Sequence, residues 1–147
     1  MATLFNRWQV AKAIVESARE DPRLAGVLVA SGWPGADNLR PSTIWIDELA
    51  GNIEYPLASA GRKVRDDRYT IPFHVRVVDA GDLDATYTRL EELVGVLDDL
   101  IADDPTDGAL DGLMQALVES VRMTCGVTPD GPVGFAEVVV SSFARYL

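Results

Sequence analysis

Residues 68–79 read RYTIPFHVRVVD and alternate between apolar and mainly polar side chains. A period of two is typical of a strand that covers a core with one face. The apolar face holds Tyr69, Ile71, Phe73, Val75 and Val77. Because proline donates no hydrogen bond to a ladder, Pro72 indicates a sheet edge or a bulge. The stretch predicts the clearest strand of the chain.

The next pattern downstream predicts a helix. Apolar residues recur there at steps of three and four, which places them on one stripe. The stripe holds Leu83, Tyr87, Leu90, Val94, Leu97 and Ile101. Asp82 or Asp84 can cap its start, and Asp104-Pro105 ends it. The C-terminal end, where the macrodipole disfavours negative charge, holds Asp98, Asp99, Asp103 and Asp104. Something other than local helix energetics must therefore keep these carboxylates in place.

Upstream of the central strand, a first helix and two strands are predicted. The helix stripe holds Leu4, Trp8, Ala11, Ile14, Val15 and Ala18. Asp21-Pro22 ends the helix, and Trp8 is expected in the core. The apolar run Val27–Ala30 predicts a short buried strand, turn formers fill residues 31–38, and Ser42–Glu48 predicts the next strand.

The segment between residues 51 and 67 has a mixed signal. Ile53, Tyr55 and Leu57 alternate, but Pro56 argues against a central strand. We interpret residues 56–67 as a long, mobile hairpin loop, a kind of segment that is often functional or disordered in compact domains.

The C-terminal part contains one ambiguous segment before a clear strand. Residues 109–125 fit both a helical and a strand period, and we favour a short turn or helical start followed by a strand from about residue 116. Turn formers at 128–132 separate it from a final strand, Phe135–Tyr146. The element order α-β-β-β-α-β-β predicts one α+β domain over residues 1–147, whose mostly antiparallel sheet has four to five strands and two main flanking helices.

The amino-acid composition disfavours several classes of protein function. The 147 residues, 48% of them hydrophobic, suffice for one folded domain. With 23 acidic and 13 basic residues the net charge is −10, which disfavours general binding to nucleic acid or to anionic membranes. Cys125 is the only cysteine, so an intrachain disulfide is impossible and a reducing compartment is compatible. We expect no signal peptide and no membrane span.

Residues that usually carry catalysis are sparse. His74 is the only histidine, and no nucleophile or second base stands at a recognisable spacing from it. A structural zinc site needs about four nitrogen or sulfur ligands, which Cys125 and His74 cannot supply. The acidic turn 103–108 lacks the spacing of a calcium loop and is interpreted as solvated. We therefore expect no enzyme activity, no catalytic or metal-binding residue and no cofactor.

A basic stretch and one loop tryptophan are the candidate contact residues. The stretch, which Asp66 and Asp67 partly offset, holds Arg62, Lys63, Arg65 and Arg68. It is either a solvated loop or an electrostatic docking element for an acidic neighbour such as another copy of the chain. Trp33 lies in a Gly/Pro loop, where an exposed indole would serve as an interface anchor, although core burial is more usual for a tryptophan.

The order and lengths of these elements resemble the tail terminator (tail completion) proteins of long-tailed bacteriophages. The resemblance rests on the N-terminal helix, the strand leading into SGWPG at 31–35, and the strand TIWI at 43–46. It continues through the long loop before YTIPFHVRV at 69–77, the helix 83–101, and the hairpin that ends EVVVSSFAR at 137–145. It covers nearly the whole chain and lies in order and length rather than in a signature motif.

The resemblance implies a mixed sheet flanked by helices and a homohexameric ring. Such a ring caps the tail tube, stops its polymerisation and presents a surface to the head connector. The implied partners are other copies of the chain, the tail tube protein and the head completion protein. The implied location is the head-proximal end of the virion tail, and the host cytoplasm during assembly. DNA would pass only as cargo, since an acidic ring repels it. A head–tail connector (neck) protein and a small non-viral protein-binding adaptor are the alternatives.

Overall fold

The computed structural model describes residues 6–56, 58–59, 62–103 and 113–146. Within these ranges the two α-helices are α1, Arg7–Glu20, and α2, Leu83–Ala102. The strands are β1 Leu28–Ala30, β2 Ser42–Ile46, β3 Ala50–Glu54, β4 Ala58–Ser59, β5 Arg62–Lys63, β6 Arg65–Val78, β7 Leu113–Thr128 and β8 Gly131–Tyr146. Leu4, Leu57, Asp104-Pro105 and residues 109–112, to which the sequence assigned roles, lie outside the described residues.

Six strands form one mixed sheet in the order β1-β2-β6-β8-β7, and β3 also pairs with β6. β1 runs parallel to β2, and all other pairs in the sheet are antiparallel. β4 and β5 form a separate short ribbon. The predicted α+β class, with a mostly antiparallel sheet and two main helices, is confirmed. The sheet has six strands rather than four to five, because residues 50–54 pair with the first part of β6 despite the nearby Pro56.

Pro72 lies in the middle of the central strand rather than at a sheet edge, and the pairing beside it shifts register by one residue between β2 and β3, an irregularity of the predicted bulge type. β6 pairs with β8 over its whole length, while on its other side β2 ends opposite Phe73 and β3 begins opposite Thr70. Pro72 faces the gap between these two strands, where its carbonyl accepts the Asp47 amide at 3.1 Å. The nitrogen and carbonyl of a strand residue point to the same side, so the missing N–H faces a position without a partner strand.

The apolar face of β6 lies under the two helices, as the alternation predicted. Its residues Tyr69, Ile71, Phe73, Val75 and Val77 are at most 2% exposed. The helices cover them with Val10, Ala11, Ile14, Val15 and Ala18 of α1, and Leu90, Leu93, Leu97 and Ile101 of α2. The expectation that Trp8 joins this core is wrong: the side chain is 43% exposed, because it lies about 90° around α1 from the centre of the buried stripe.

The start of α2 and its close approach to the sheet follow from two residues. The Asp82 carboxylate accepts the Ala85 amide at 2.8 Å, which is the predicted N-cap. Gly134 of β8 lies directly beneath the helix, where a Cβ atom would come within 2.7 Å of Thr86 Cγ2 and 2.8 Å of Leu90 Cδ1. The absence of a side chain at position 134 therefore sets the helix-to-sheet distance.

Two segments with mixed sequence signals form strands. β6 begins at Arg65, so residues 65–67 of the predicted 56–67 loop belong to the central strand, and residues 58–59 pair with 62–63. The ambiguous segment is a strand from Leu113, somewhat earlier than predicted. Its pairing with β8 shifts register between Leu113 and Gln115 and between Val118 and Ser120. Each shift changes the alternation, which explains why the apolar residues also fitted a helical period.

Candidate interaction surface

The sheet face opposite the helices carries the side chains that alternate with the core, and we call it the open sheet face. On the two central strands these are Arg68, Thr70, Pro72, His74 and Arg76 of β6, and Phe135, Glu137, Val139, Ser141 and Phe143 of β8. β2 adds Trp45 opposite His74, and β7 adds Arg122 opposite Glu137. Most of these residues are half-buried or exposed, and they mix aromatic rings with guanidinium groups. Such a composition is typical of contact surfaces.

One end of the open sheet face is an arginine–aromatic cluster. The Arg68 guanidinium lies 4.3 Å from the centre of the Phe143 ring, and that of Arg145 lies 5.8 Å from it. Arg68 also approaches Glu54 of β3 at 3.8 Å, in a pair whose side chains are both more than half exposed. A guanidinium held over a ring by cation–π attraction stays ordered while it faces solvent.

Asp66 and Asp67 are adjacent carboxylates that point to opposite faces of the sheet. Asp66 accepts two hydrogen bonds from Arg145, from Nε at 2.7 Å and from Nη2 at 2.9 Å. The hydrogen bond from Arg145 holds the pKa of Asp66 below its ordinary value. Asp67 is fully buried on the helix side and accepts two bonds from Arg7 of α1, at 2.9 and 2.6 Å. The hydrogen bond to Asp67 raises the pKa of Arg7. The two pairs fasten α1 and β8 to the start of β6.

A tryptophan cluster occupies the other side of the open sheet face. The Trp33 ring packs edge-on against Trp45, with ring centres 5.1 Å apart, and Trp45 stacks on His74 at 5.5 Å. His74 Nε2 lies 3.1 Å from Asp47 Oδ2. Trp33 is 56% exposed, so it is a surface residue rather than the usual core tryptophan. His74 supports the cluster, because its ring stacks on Trp45 and its Nε2 atom contacts the Asp47 carboxylate.

The predicted contact residues do not form one site. The side chains of Arg62 and Lys63 lie outside the described part of the structure. Arg65 lies on the helix side, 5.9 Å from the centre of the Tyr146 ring, whereas Arg68 lies on the open sheet face. The Trp33 cluster packs at the level of His74, about 20 Å along β6 from Arg68 at roughly 3.3 Å per residue.

Sequence reasoning missed the arginines that share the open sheet face with Arg68. Arg76, Arg122 and Arg145 are far apart in sequence, and the strand register brings them onto one face. The alternation in residues 68–79 already put Arg76 on the face opposite the core. The register of β7 and β8 against β6, which places Arg122 and Arg145, cannot be read from either strand alone.

The outer face of α2 is acidic. Of its C-terminal aspartates, Asp99 binds Arg23 at 2.8 Å, and Arg23 binds Asp21 at 2.8 Å as well. This contact outside the helix explains why Asp99 is tolerated there. Glu91, Gly95 and Asp98 line a groove of about 450 Å³ beside this arginine. The carboxylates of Glu91 and Asp98 have no ion-pair partner among the described residues.

The described residues bring no catalytic pair together. Cys125 lies opposite Gly134 on the helix side, while His74 faces the open side and is three residues along β6 from the strand position of Gly134. Burial raises the pKa of the Cys125 thiol, against a smaller opposite effect of a hydrogen bond with Tyr87. Within the described ranges, no group of three or more histidine, cysteine or carboxylate side chains is placed to hold a metal ion.

Neither α-helix in the described ranges is long and apolar enough to cross a lipid bilayer.

The comparisons with known proteins bear on the fold. No protein-family model matches the chain, and no curated protein matches it in sequence. Among solved structures, a chain from the virion of a native gene transfer agent (GTA) particle is similar, with a TM-score of 0.58 and 13% sequence identity. The match covers 93% of this chain and 95% of that chain. The two chains therefore share a fold over nearly their whole lengths.

Proposed function

We propose that the chain is a structural protein of a phage-like virion, and that within it the chain is the tail terminator. In this role it caps the tail tube, stops tube polymerisation and forms the tail surface that joins the head connector. The observation that carries the proposal is the fold shared, over 93% of this chain, with a chain from a gene transfer agent virion. The match spans nearly the whole of both chains, so the shared fold is not confined to a submotif.

The surface chemistry supports contact rather than catalysis. The exposed and half-exposed aromatic rings and arginines of the open sheet face are residue types enriched where proteins bind one another. The same face offers no activated nucleophile within the described residues, and His74 is engaged by Trp45 and Asp47. We accordingly propose that the chain has no enzymatic role.

The proposed partners follow from the proposed role. Six copies form a closed ring, which satisfies the symmetry expected of a homo-oligomer. One side of the ring contacts the tube protein, and the other contacts the head completion protein. With a net charge of −10 per copy, the ring repels DNA that passes through it. The proposed location is the head-proximal end of the tail, after assembly in the host cytoplasm.

Electron microscopy of the chain mixed with tail tubes tests the proposal. The proposal predicts genes for a tube protein and a tape-measure protein beside the gene for this chain, and the tubes are assembled from that tube protein. We expect a ring at one end of each tube and arrest of further tube growth. Density on isolated head connectors but not on tube ends would favour the neck protein instead. Binding to neither, with monomeric chain throughout, would refute the virion role and favour the adaptor alternative.

A further inference from the structure

The open sheet face contains two arginines without ion-pair partners beside an exposed aromatic ring. Arg76 lies directly opposite Phe135 in the β6–β8 ladder, and Arg122 lies diagonally across the β7–β8 ladder from it. Phe135 is 49% exposed, and neither guanidinium has an ion-pair partner among the described residues, although Glu137 lies opposite Arg122. We call Arg76, Arg122 and Phe135 the Phe135 patch.

The Phe135 patch adjoins a groove that can receive part of another protein. The groove has a volume of about 660 Å³ and runs to the β7–β8 turn, with Val78, Val127 and Val133 among its lining residues. The lining also contains Asp79 and Asp130, so the groove is only partly apolar. An exposed aromatic ring flanked by arginines has the composition of an interface centre. Two guanidinium groups without internal partners select an acidic surface as the occupant.

The chain itself carries such a surface on the opposite layer. Residues 82–103 hold seven carboxylates against one arginine, a net of −6 in a chain whose total is −10. Glu91 and Asp98 stand seven positions apart, on the same side of α2, with Gly95 between them. Both carboxylates are exposed, and they border the groove beside Arg23. We call Glu91, Gly95 and Asp98 the acidic helix face.

We infer that the Phe135 patch of one copy docks on the acidic helix face of a second copy. The patch lies on the open side of the sheet and the acidic face lies on the outer side of the helix layer, so the contact joins two different surfaces. A contact of this kind runs head to tail. It leaves a free Phe135 patch at one end of a row of copies and a free acidic helix face at the other end, and these two surfaces can join to close a ring. The inference rests on the proposed ring and identifies the two surfaces that build it.

Charge-swap variants test this contact. Arg76→Glu/Arg122→Glu makes both surfaces negative, and Glu91→Lys/Asp98→Lys makes both positive. We expect each double variant to lower the association constant of the full chain about 100-fold at low salt, because attraction becomes like-charge repulsion. An equimolar mixture of the two variants should regain association, since each then offers a surface that fits the other. Sedimentation velocity measures the wild type, the two double variants, their mixture and a control variant. Lys12→Glu/Arg40→Glu changes the net charge as much as the first variant, at exposed positions outside both surfaces, and should associate like the wild type.

The outcomes separate this inference from the proposed function. Three results would each overturn the contact. The wild-type chain could stay monomeric, or the double variants could associate normally. The third is a mixture that does not regain association although each variant unfolds in urea like the wild type. Tube-end binding is scored independently by electron microscopy. A wild-type chain that associates through this contact but ignores tube ends refutes only the terminator role. Rings of Arg76→Glu/Arg122→Glu on tube ends refute only the contact.

Discussion

The two faces of the central sheet are built by the same strands and differ in composition and burial. On β6, the odd-numbered residues from Tyr69 to Val77 are apolar and covered, while the even-numbered residues between them include a proline, a histidine and an arginine at half-buried positions. The side chains of one face are apolar and are stable only when the rest of the chain buries them. The other face retains guanidinium groups and rings that are partly open to solvent. Under the proposed contact, stability and binding are divided by strand parity, so each can be changed without the other.

The largest expected difference comes from the same substitution made on each face. Phe73→Ala on the covered face should lower the free energy of unfolding by about 3–5 kcal/mol, because it removes a fully buried ring and leaves a cavity. Phe135→Ala on the open face should lower it by about 1 kcal/mol or less, since that ring is half-exposed in the monomer. Urea unfolding at a protein concentration where both variants are monomeric measures the two values. Equal losses would contradict the division between the faces.

A second contrast compares two arginines at the start of β6. Arg7→Met should lower the free energy of unfolding by about 3 kcal/mol, because the buried Asp67 carboxylate loses its charged partner. Arg68→Met should change it by about 0.5 kcal/mol at most, since the pair with Glu54 is exposed and 3.8 Å long. Urea midpoints at neutral pH provide the comparison. If Arg7→Met has the same urea midpoint as the wild type, the ion pair between Arg7 of α1 and Asp67 does not stabilise the fold.

Two glycines test how tightly the covered face is packed. Gly134→Ala should cost about 1–3 kcal/mol, because the new methyl group pushes against Thr86 and Leu90 of α2. Gly126→Ala places a methyl group in open space on β7 and should change stability by about 0.5 kcal/mol or less. Thermal unfolding of both variants, with near-ultraviolet circular dichroism to follow core packing, distinguishes them. A neutral Gly134→Ala would mean that α2 can move away from the sheet without loss.

The smallest effect concerns acid stability on the open face. The pKa of Asp66 is lower in the folded chain than its ordinary value of 3.8, mainly through its hydrogen bond with Arg145. At low pH the unfolded chain therefore binds more protons at this carboxylate, and the stabilisation is lost as pH falls through the folded pKa. Arg145→Met should flatten the fall in stability below about pH 4 relative to the wild type. Urea midpoints between about pH 6 and pH 3 measure both curves. Parallel curves would show that the pair does not carry this acid dependence.

The covered face was predictable from the sequence, and much of the open face was not. The alternation from Tyr69 to Val77 and the cap at Asp82 depend on nearby residues, so local patterns contained them. The position of Pro72 depends on where β2 and β3 end, which the pattern of β6 does not contain. From the sequence, Asp66 and Asp67 could be described only as negative charges that partly offset a basic stretch.

The partners of these aspartates explain why their roles were not predictable. Arg145 is 79 positions from Asp66, and Arg7 is 60 positions from Asp67. The Phe135 patch arises in the same way, since three strands must be in register before Arg76, Phe135 and Arg122 become neighbours. Contacts between distant segments depend on the order and register of the strands. The whole fold sets these, so no single segment of the sequence reveals them.

The separation of β6 from its main neighbour has a consequence for synthesis. Asp66 and Arg145 are 79 positions apart, and a ribosome adding about 5–20 residues per second needs about 4–16 s to make that span. Throughout that interval the edge of β6 that will meet β8 has no hydrogen-bond partner, and an open strand edge invites pairing with other nascent chains. The charges at 65–68 oppose such pairing, because charged residues interrupt aggregation-prone segments. These charges thus protect the start of β6 before its partner strand β8 has been made.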